Sequence, residues 1–337
     1  MERDFKYPIL ICFGTRPEWL KIAPITKQLK KEEYKLLFTG QHTDLLKDVQ
    51  ADYTVHIKSN EVNRLNKVIS TCLEQFPSDK FSGVLVQGDT ASAVGCALAA
   101  FNLGIKVFYL EAGLRTFNLQ HPFPEEGYRQ IISRISYYNF TPTEISNQNL
   151  IREKVIGKRS IVGNSILDNL IDYKTQEASN IVLVTLHRRE NHDQLHRWFQ
   201  ELEKLAIEYD QLQFILPLHP NPAVQKHKNT FKKVTLVDPI PYEEFLTLLA
   251  KCKLVITDSG GIQEEGSFFN KTVIVCREYT ERPEGLKSGH SFLCKTPTNL
   301  QTTFKQCLAL PQSTKPCPYG DGNTAKRVVR ILRKELF

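Results

Sequence analysis

The chain has 337 residues, more than one hydrophobic core usually organises, which points to two domains of roughly 150 residues each. With 41% hydrophobic and 24% charged residues, and 17 each of Gly and Pro, the composition excludes disordered, collagenous and fibrous classes. The 44 basic and 37 acidic residues leave a charge of +7 scattered along the chain, which fits a small phosphate ester better than nucleic acid.

No apolar run approaches the roughly 20 residues needed to cross a bilayer, so no membrane partner is expected. The charged start, Met1 to Lys6, lacks a following signal-type apolar stretch, and a cytoplasmic location is expected. The eight cysteines sit mostly in apolar segments, with no C-x-x-C pair and no His at zinc spacing, which reads as reduced core thiols rather than disulfides or metal ligands.

In chain order, short β-branched runs alternate with longer amphipathic stretches, the signature of βαβ units on parallel sheets. The first half is expected to carry strands at Ile9 to Phe13, Lys35 to Thr39, Gly83 to Gln87, Val107 to Glu111 and Tyr138 to Thr141. Helices lie between them, including Ala91 to Asn102, stopped by Gly104. The polar stretch Ile166 to Asn180 reads as the joint. The alternation then restarts with strands at Ile181 to Leu186, Gln213 to Pro217, Val234 to Val237, Leu254 to Thr257 and Val273 to Cys276. A Pro- and Gly-containing loop, Pro311 to Asn323, sets off a last helix, Thr324 to Glu335. The expected division is 1–168, 169–322 and a terminal helix 323–337 that crosses back to the first domain.

Open parallel sheets present ligands at the carboxyl ends of their strands, and six polar clusters fall there. FGTRPE, residues 13–18, is a strand end, a Gly turn and a Pro-started helix, where Arg16 and free backbone N–H groups suit an anion. In QGDT, residues 87–90, Asp89 reads equally as a helix N-cap or as an acid. EAGLRT, residues 111–116, puts Glu111 at the neighbouring strand end, where it can share a crevice with Asp89 as a proton-transfer pair or pair with Arg115. PFPEE, residues 122–126, supplies Glu125 as a third acid, ahead of a helix with Arg129 and Arg134. HRRE, residues 187–190, places His187 beside two arginines, which disfavour its protonation and suit it to phosphate binding or acid–base work. DSGGIQEE, residues 258–265, lets backbone N–H groups at Ser259, Gly260 and Gly261 approach a diphosphate, with Glu265 reaching a ribose. Neither G-x-x-x-x-G-K-[ST] nor G-x-G-x-x-G occurs, which argues against ATPase or nicotinamide chemistry.

Together with TERPE, residues 280–284, these motifs in this order resemble the non-hydrolysing UDP-N-acetylglucosamine 2-epimerases, from the first strand to PYGDG at 318–322. The resemblance implies an α/β fold of two Rossmann-like domains of glycosyltransferase-B type facing across a cleft, with no metal and no redox cofactor. It implies a homodimer acting on a UDP-sugar in polysaccharide biosynthesis. The implied reaction interconverts UDP-N-acetylglucosamine and UDP-N-acetylmannosamine through elimination of UDP and its re-addition to 2-acetamidoglucal. Asp89, Glu111 and Glu125 take the catalytic carboxylates, with His187 beside the diphosphate. Arg16, Lys21, Ser259, Gly260, Gly261 and Arg282 hold UDP, Glu265 the ribose and Phe245 the uracil, while Gln41, Arg129 and His219 match further substrate-binding positions.

The chain also departs from the family pattern. It lacks the Gly-Gln-Ser-Leu type loop at 58–63, near Gln41 and His42, where bacterial relatives bind an activating second UDP-N-acetylglucosamine. Tyr128 replaces a common Asn and Arg134 a frequent His, changes that border the expected sugar pocket and point to a modified sugar. Three other readings stand beside the epimerase: a hydrolysing relative releasing N-acetylmannosamine and UDP, a glycosyltransferase on the same fold, and a nucleotide-sugar-binding protein without chemistry.

Overall fold

The computed structural model describes residues 7–41, 49–57, 63–173 and 179–336, apart from the Arg189 side chain. His42, most of the 58–63 loop and part of the joint lie outside the described residues. The chain forms two α/β units, one comprising residues up to Asn169 and again from Gly320, the other Leu170–Tyr319.

The first unit holds seven strands: β1 (Ile9–Phe13), β2 (Tyr34–Phe38), β3 (Tyr53–Thr54), β4 (Gly83–Gln87), β5 (Val107–Leu110), β6 (Tyr138–Thr141) and β7 (Lys158–Ile161). They pair in parallel in the order β3-β2-β1-β4-β5-β6-β7. Helices α1 (Arg16–Thr26), α2 (Arg64–Glu74), α3 (Ala91–Asn102), α4 (Glu125–Ile135) and α5 (Glu144–Arg152) make the crossovers. β1 and β4, ILICF and GVLVQ, are buried at every residue, which is why they read as unbroken apolar runs rather than alternating ones. The small residues of α3 serve close packing: a Cβ on Gly95 would lie 2.8 Å from the Cys72 Cβ of α2 and 3.1 Å from the Ile69 Cα.

The second unit repeats the plan with β8 (Ile181–Thr185), β9 (Gln213–Pro217), β10 (Thr235–Val237), β11 (Leu254–Thr257), β12 (Thr272–Val275) and β13 (Ser291–Leu293), parallel in the order β10-β9-β8-β11-β12-β13. Its helices are α6 (Leu195–Glu208), α7 (Pro222–Gln225), α8 (Tyr242–Lys251), α9 (Gly260–Phe268), α10 (Pro283–Ser288) and α11 (Leu300–Leu308). One core gathers Val182, Val184, Leu216, Ile256 and Ile274 from the sheet with Trp198, Phe199 and Leu202 of α6 and Phe304 of α11.

Lys271, just before β12, is fully buried, and its ammonium has no hydrogen-bond partner among the described residues. Burial pushes its proton affinity below the usual lysine range. The unfolded chain then keeps a proton that the folded chain sheds first, so stability rises with pH through that window, up to the ordinary value of about 10.4. Lys271→Met is expected to stabilise the protein by about 1–3 kcal/mol at pH 7, with the gain shrinking toward pH 10. Denaturant midpoints of both proteins at the two pH values check this; an unchanged or lower midpoint at pH 7 contradicts it.

A last helix, α12 (Thr324–Leu336), belongs to the first unit. Its Ala325, Val328, Val329 and Leu332 enter the core with Ile9, Ile11 and Phe13 of β1 and Ile22 and Ile25 of α1. The helix has its first N–H groups satisfied from a distant segment: Asp168 accepts from Thr324 N at 3.1 Å and Ala325 N at 2.8 Å. Burial raises the Asp168 pKa, and these bonds oppose the rise. At the far end Glu335 accepts from Lys158 Nζ at 2.6 Å and from the Tyr137 hydroxyl at 2.7 Å.

Several element bounds differ from the sequence reading. β3, β7 and β13 are additional strands, and the region read as a polar joint begins with a 3₁₀ turn, Ser165–Leu170, whose Ile166, Leu167 and Leu170 are buried. β5 stops at Leu110, because Glu111 adopts φ 68°, outside any strand conformation.

Candidate active site

In the first unit the strand order reverses between β1 and β4, the place where open sheets leave room for a ligand at their carboxyl ends. Glu18 braces the two loops there. It is buried and accepts from Gly14 N at 3.0 Å, the Thr15 hydroxyl at 2.8 Å and the Thr90 hydroxyl at 2.7 Å. Burial raises its pKa and these bonds oppose the rise. Gly14 has no room for a side chain, since a Cβ would fall 2.1 Å from Ser92 Oγ. Arg16 is exposed on the first turn of α1.

Lys21, further along α1, donates to Glu111 Oε2 at 2.5 Å. Gln87 at the end of β4 donates to the same oxygen, and Asn164 Nδ2 donates to Oε1 at 3.1 Å. Glu111 is thus a buried carboxylate held by three donors on a left-handed backbone, a conformation that costs of the order of 1–3 kcal/mol and clusters at functional positions. Arg115, which the sequence offered as its partner, turns elsewhere: its guanidinium bonds Glu153 at 2.8 and 2.9 Å and Ser133 at 3.0 Å.

Asp89 accepts at Oδ2 from Arg129 Nε at 2.7 Å and Nη2 at 2.6 Å. Arg129 is buried on α4, one turn past Glu125, which opens that helix. The adjacent Glu126 is fully buried and accepts from Thr116 N at 3.0 Å and Phe117 N at 3.2 Å, tying the EAGLRT loop to α4. Tyr128 stands close enough for the Glu125 charge to add to burial in raising its phenol pKa, whereas Arg134 is exposed. Gln41 is joined to α3, accepting from Ser92 N at 3.1 Å and Ser92 Oγ at 2.8 Å.

In the second unit the order reverses between β8 and β11, whose ends carry HRRE and DSGG. Asp258 ties these loops together, accepting from His187 N at 3.0 Å, Arg188 N at 2.9 Å and Asn191 Nδ2 at 3.0 Å. The His187 and His219 rings meet edge to face at 4.6 Å. Burial, more than the neighbouring arginines invoked from sequence, lowers the His187 pKa, and burial lowers that of His219; the Asp258 charge opposes both shifts. Neutral imidazoles here can donate or accept near neutral pH.

α9 starts at Gly260, with the Ser259 hydroxyl taking no part in capping. Its first turn is an N-terminus that favours negative charge. Beneath it lies the Arg282 guanidinium, so close that a Cβ on Gly260 would meet Nη1 at 2.5 Å. Arg282 donates to Glu264 Oε1 at 2.6 Å and to Glu281, and Glu281 also receives Arg277 Nη1 at 3.0 Å. Glu265 accepts the Tyr242 hydroxyl at 2.6 Å, and Phe245 sits one turn along α8 from Tyr242. Asn164, Gln87, Asn191 and Tyr242 were not singled out as site residues. Gln87 lies within a recognised motif, and the others lack a local signal.

Residues 26–333 match the family model described as UDP-N-acetylglucosamine 2-epimerase. The chain belongs to that family. The UDP-N-acetylglucosamine 2-epimerase of Neisseria meningitidis serogroup A is 35% identical over 97% of this chain and 99% of its own. That of Salmonella borreze is 33% identical over 95% and 97%. The crystal structure of the Neisseria meningitidis enzyme bound to UDP-GlcNAc matches with a TM-score of 0.88 at 32% identity, covering 97% of this chain and 100% of that one. In this member of the 2-epimerase family the two Rossmann-like units are of glycosyltransferase-B type, and each unit's motif residues gather where its strand order reverses. No helix among its described residues is long and apolar enough to cross a membrane.

Proposed function

We propose that the protein inverts C2 of a UDP-linked 2-acetamido sugar, interconverting UDP-N-acetylglucosamine and UDP-N-acetylmannosamine without net hydrolysis. The observation that carries this reading is the pair of acids at adjacent strand ends, Asp89 after β4 and Glu111 after β5, each held by a cation: Arg129 for Asp89, Lys21 for Glu111.

The chemistry explains why several acids are needed. The C2 hydrogen of the intact sugar is not acidic, because no carbonyl is adjacent in the ring. As the C1–O bond to UDP breaks, positive charge develops at the anomeric centre, a carboxylate stabilises it, and a base removes the C2 proton to give 2-acetamidoglucal. Return of a proton to the opposite face of C2 and of the UDP oxygen to C1 completes inversion. Loss from one face and delivery to the other calls for two carriers, drawn from Asp89, Glu111 and Glu125. Arg16, Lys21, Ser259, Gly260, Gly261, His187 and His219 serve the nucleotide diphosphate and sugar, with Arg282 supporting the Gly260 turn from below; Glu265 takes the ribose and Phe245 the uracil. Gln41 and Arg129 act as positioning groups. The departures at Tyr128, which lies near Glu125, and at Arg134 make a closely related UDP-2-acetamido sugar the alternative substrate. In this reading the enzyme is a cytoplasmic homodimer.

Incubation with UDP-N-acetylglucosamine in deuterated water tests the proposal. A reversible mixture of the two UDP-sugars labelled at C2 supports it. Accumulating free UDP and reducing sugar instead assigns the hydrolysing reaction.

A further inference from the structure

Asn164 belongs to none of the motifs above, yet it is almost wholly buried and reaches Glu111 from 53 residues away. Its amide is held from both sides. Oδ1 accepts the Ile166 N–H at 3.2 Å, which fixes the amide so that Nδ2 must face Glu111 Oε1, at 3.1 Å. The opposite oxygen of Glu111 takes Lys21 and Gln87, so Asn164 alone among these donors acts on Oε1.

The turn that starts with Asn164 is fastened elsewhere too. Asn169 Nδ2 donates to Leu20 O at 2.7 Å, at the residue preceding Lys21, and Asp168 caps α12. The backbone of Asn164 also meets the returning chain: a Cβ on Gly320 would lie 3.5 Å from Asn164 N. One turn therefore sets both Glu111 and the helix segment that carries Lys21.

We propose that Asn164 is a positioning residue for the reaction, fixing the Glu111 carboxylate through Oε1 in the orientation that Lys21 and Gln87 share. This inference rests on the epimerase reading. A purely structural Asn at this place serves through acceptor bonds such as Oδ1 to Ile166 N, and Asp supplies that acceptor equally well. Asn164→Asp keeps the acceptor but replaces the donor with a second negative charge against Glu111.

The test is C2 deuterium exchange and steady-state kinetics of wild type, Asn164→Asp and Asn164→Ala across pH. Asn164→Asp is expected to lower kcat on the order of 10- to 100-fold with KM within about twofold, and to move the acid limb of the rate profile to higher pH, because two carboxylates sharing a site resist joint ionisation. Asn164→Ala is expected to lower kcat without moving that limb as far. Wild-type kcat and profile in Asn164→Asp, or a change confined to KM, overturns the proposal. If Asn164→Asp does not fold, Asn164→Ala decides by the same split between kcat and KM. Absence of C2 exchange in the wild type itself overturns the epimerase reading, and this inference with it.

Discussion

Glu111→Gln is expected to lower the rate of C2 exchange by about 10³-fold or more while leaving the Kd for UDP within about tenfold. The substitution preserves size but not chemistry. Both oxygens of Glu111 receive donors, Lys21 and Gln87 on one and Asn164 on the other, so the new amide must point its own N–H groups at a donor whichever way it turns. The carboxylate is lost both as proton carrier and as stabiliser of charge at the anomeric centre, whereas the proposed diphosphate and ribose contacts lie largely in the other unit. Exchange followed by mass spectrometry, beside calorimetric titration with UDP, reads the two effects separately. Near-normal exchange in the variant would falsify the catalytic role of Glu111.

The second large effect concerns stability. Arg282→Met is expected to cost about 3–5 kcal/mol, because it removes the cation from between two buried carboxylates, Glu264 and Glu281, and leaves charges that burial penalises. Arg277 still faces Glu281, which limits the loss on that side; Glu264 loses its ion pair with Arg282. Because the guanidinium also underlies Gly260, UDP affinity is expected to fall as well. Equilibrium denaturation of the two proteins checks the first effect, and a loss below about 1 kcal/mol would show that the ion pairs contribute little.

The central strands were legible because burial on both faces leaves only apolar, β-branched residues, as in ILICF and GVLVQ. β7 was not, because KRSI is a largely exposed strand paired, among the described residues, with β6 alone, where lysine is compatible with pairing and blunts the edge. Glu111 was recognised as important but misplaced as the last strand residue, since nothing local announces a positive φ at a glutamate. Arg115 was a sensible partner by proximity in sequence, yet tertiary folding gives it Glu153. Asp258 stood inside a recognised motif, but its role as the acceptor that ties the HRRE loop to the DSGG loop depends on strands whose paired residues lie 72 positions apart becoming neighbours. Asn164 lay beyond reach for the same reason: a lone amide in V-G-N-S carries no periodicity, and only the three-dimensional arrangement gives it Glu111.

The position of α12 bears on biosynthesis. Residues 7–169 leave the ribosome before the second unit, yet their hydrophobic layer around β1 and α1 lacks Val328, Val329 and Leu332 until roughly 150 further residues have been translated, a delay on the order of ten to thirty seconds at ordinary elongation rates. The apolar face that α12 covers stays without that cover through the whole synthesis of the second unit, which is contiguous at 170–319. The first unit to be started is the last to be completed.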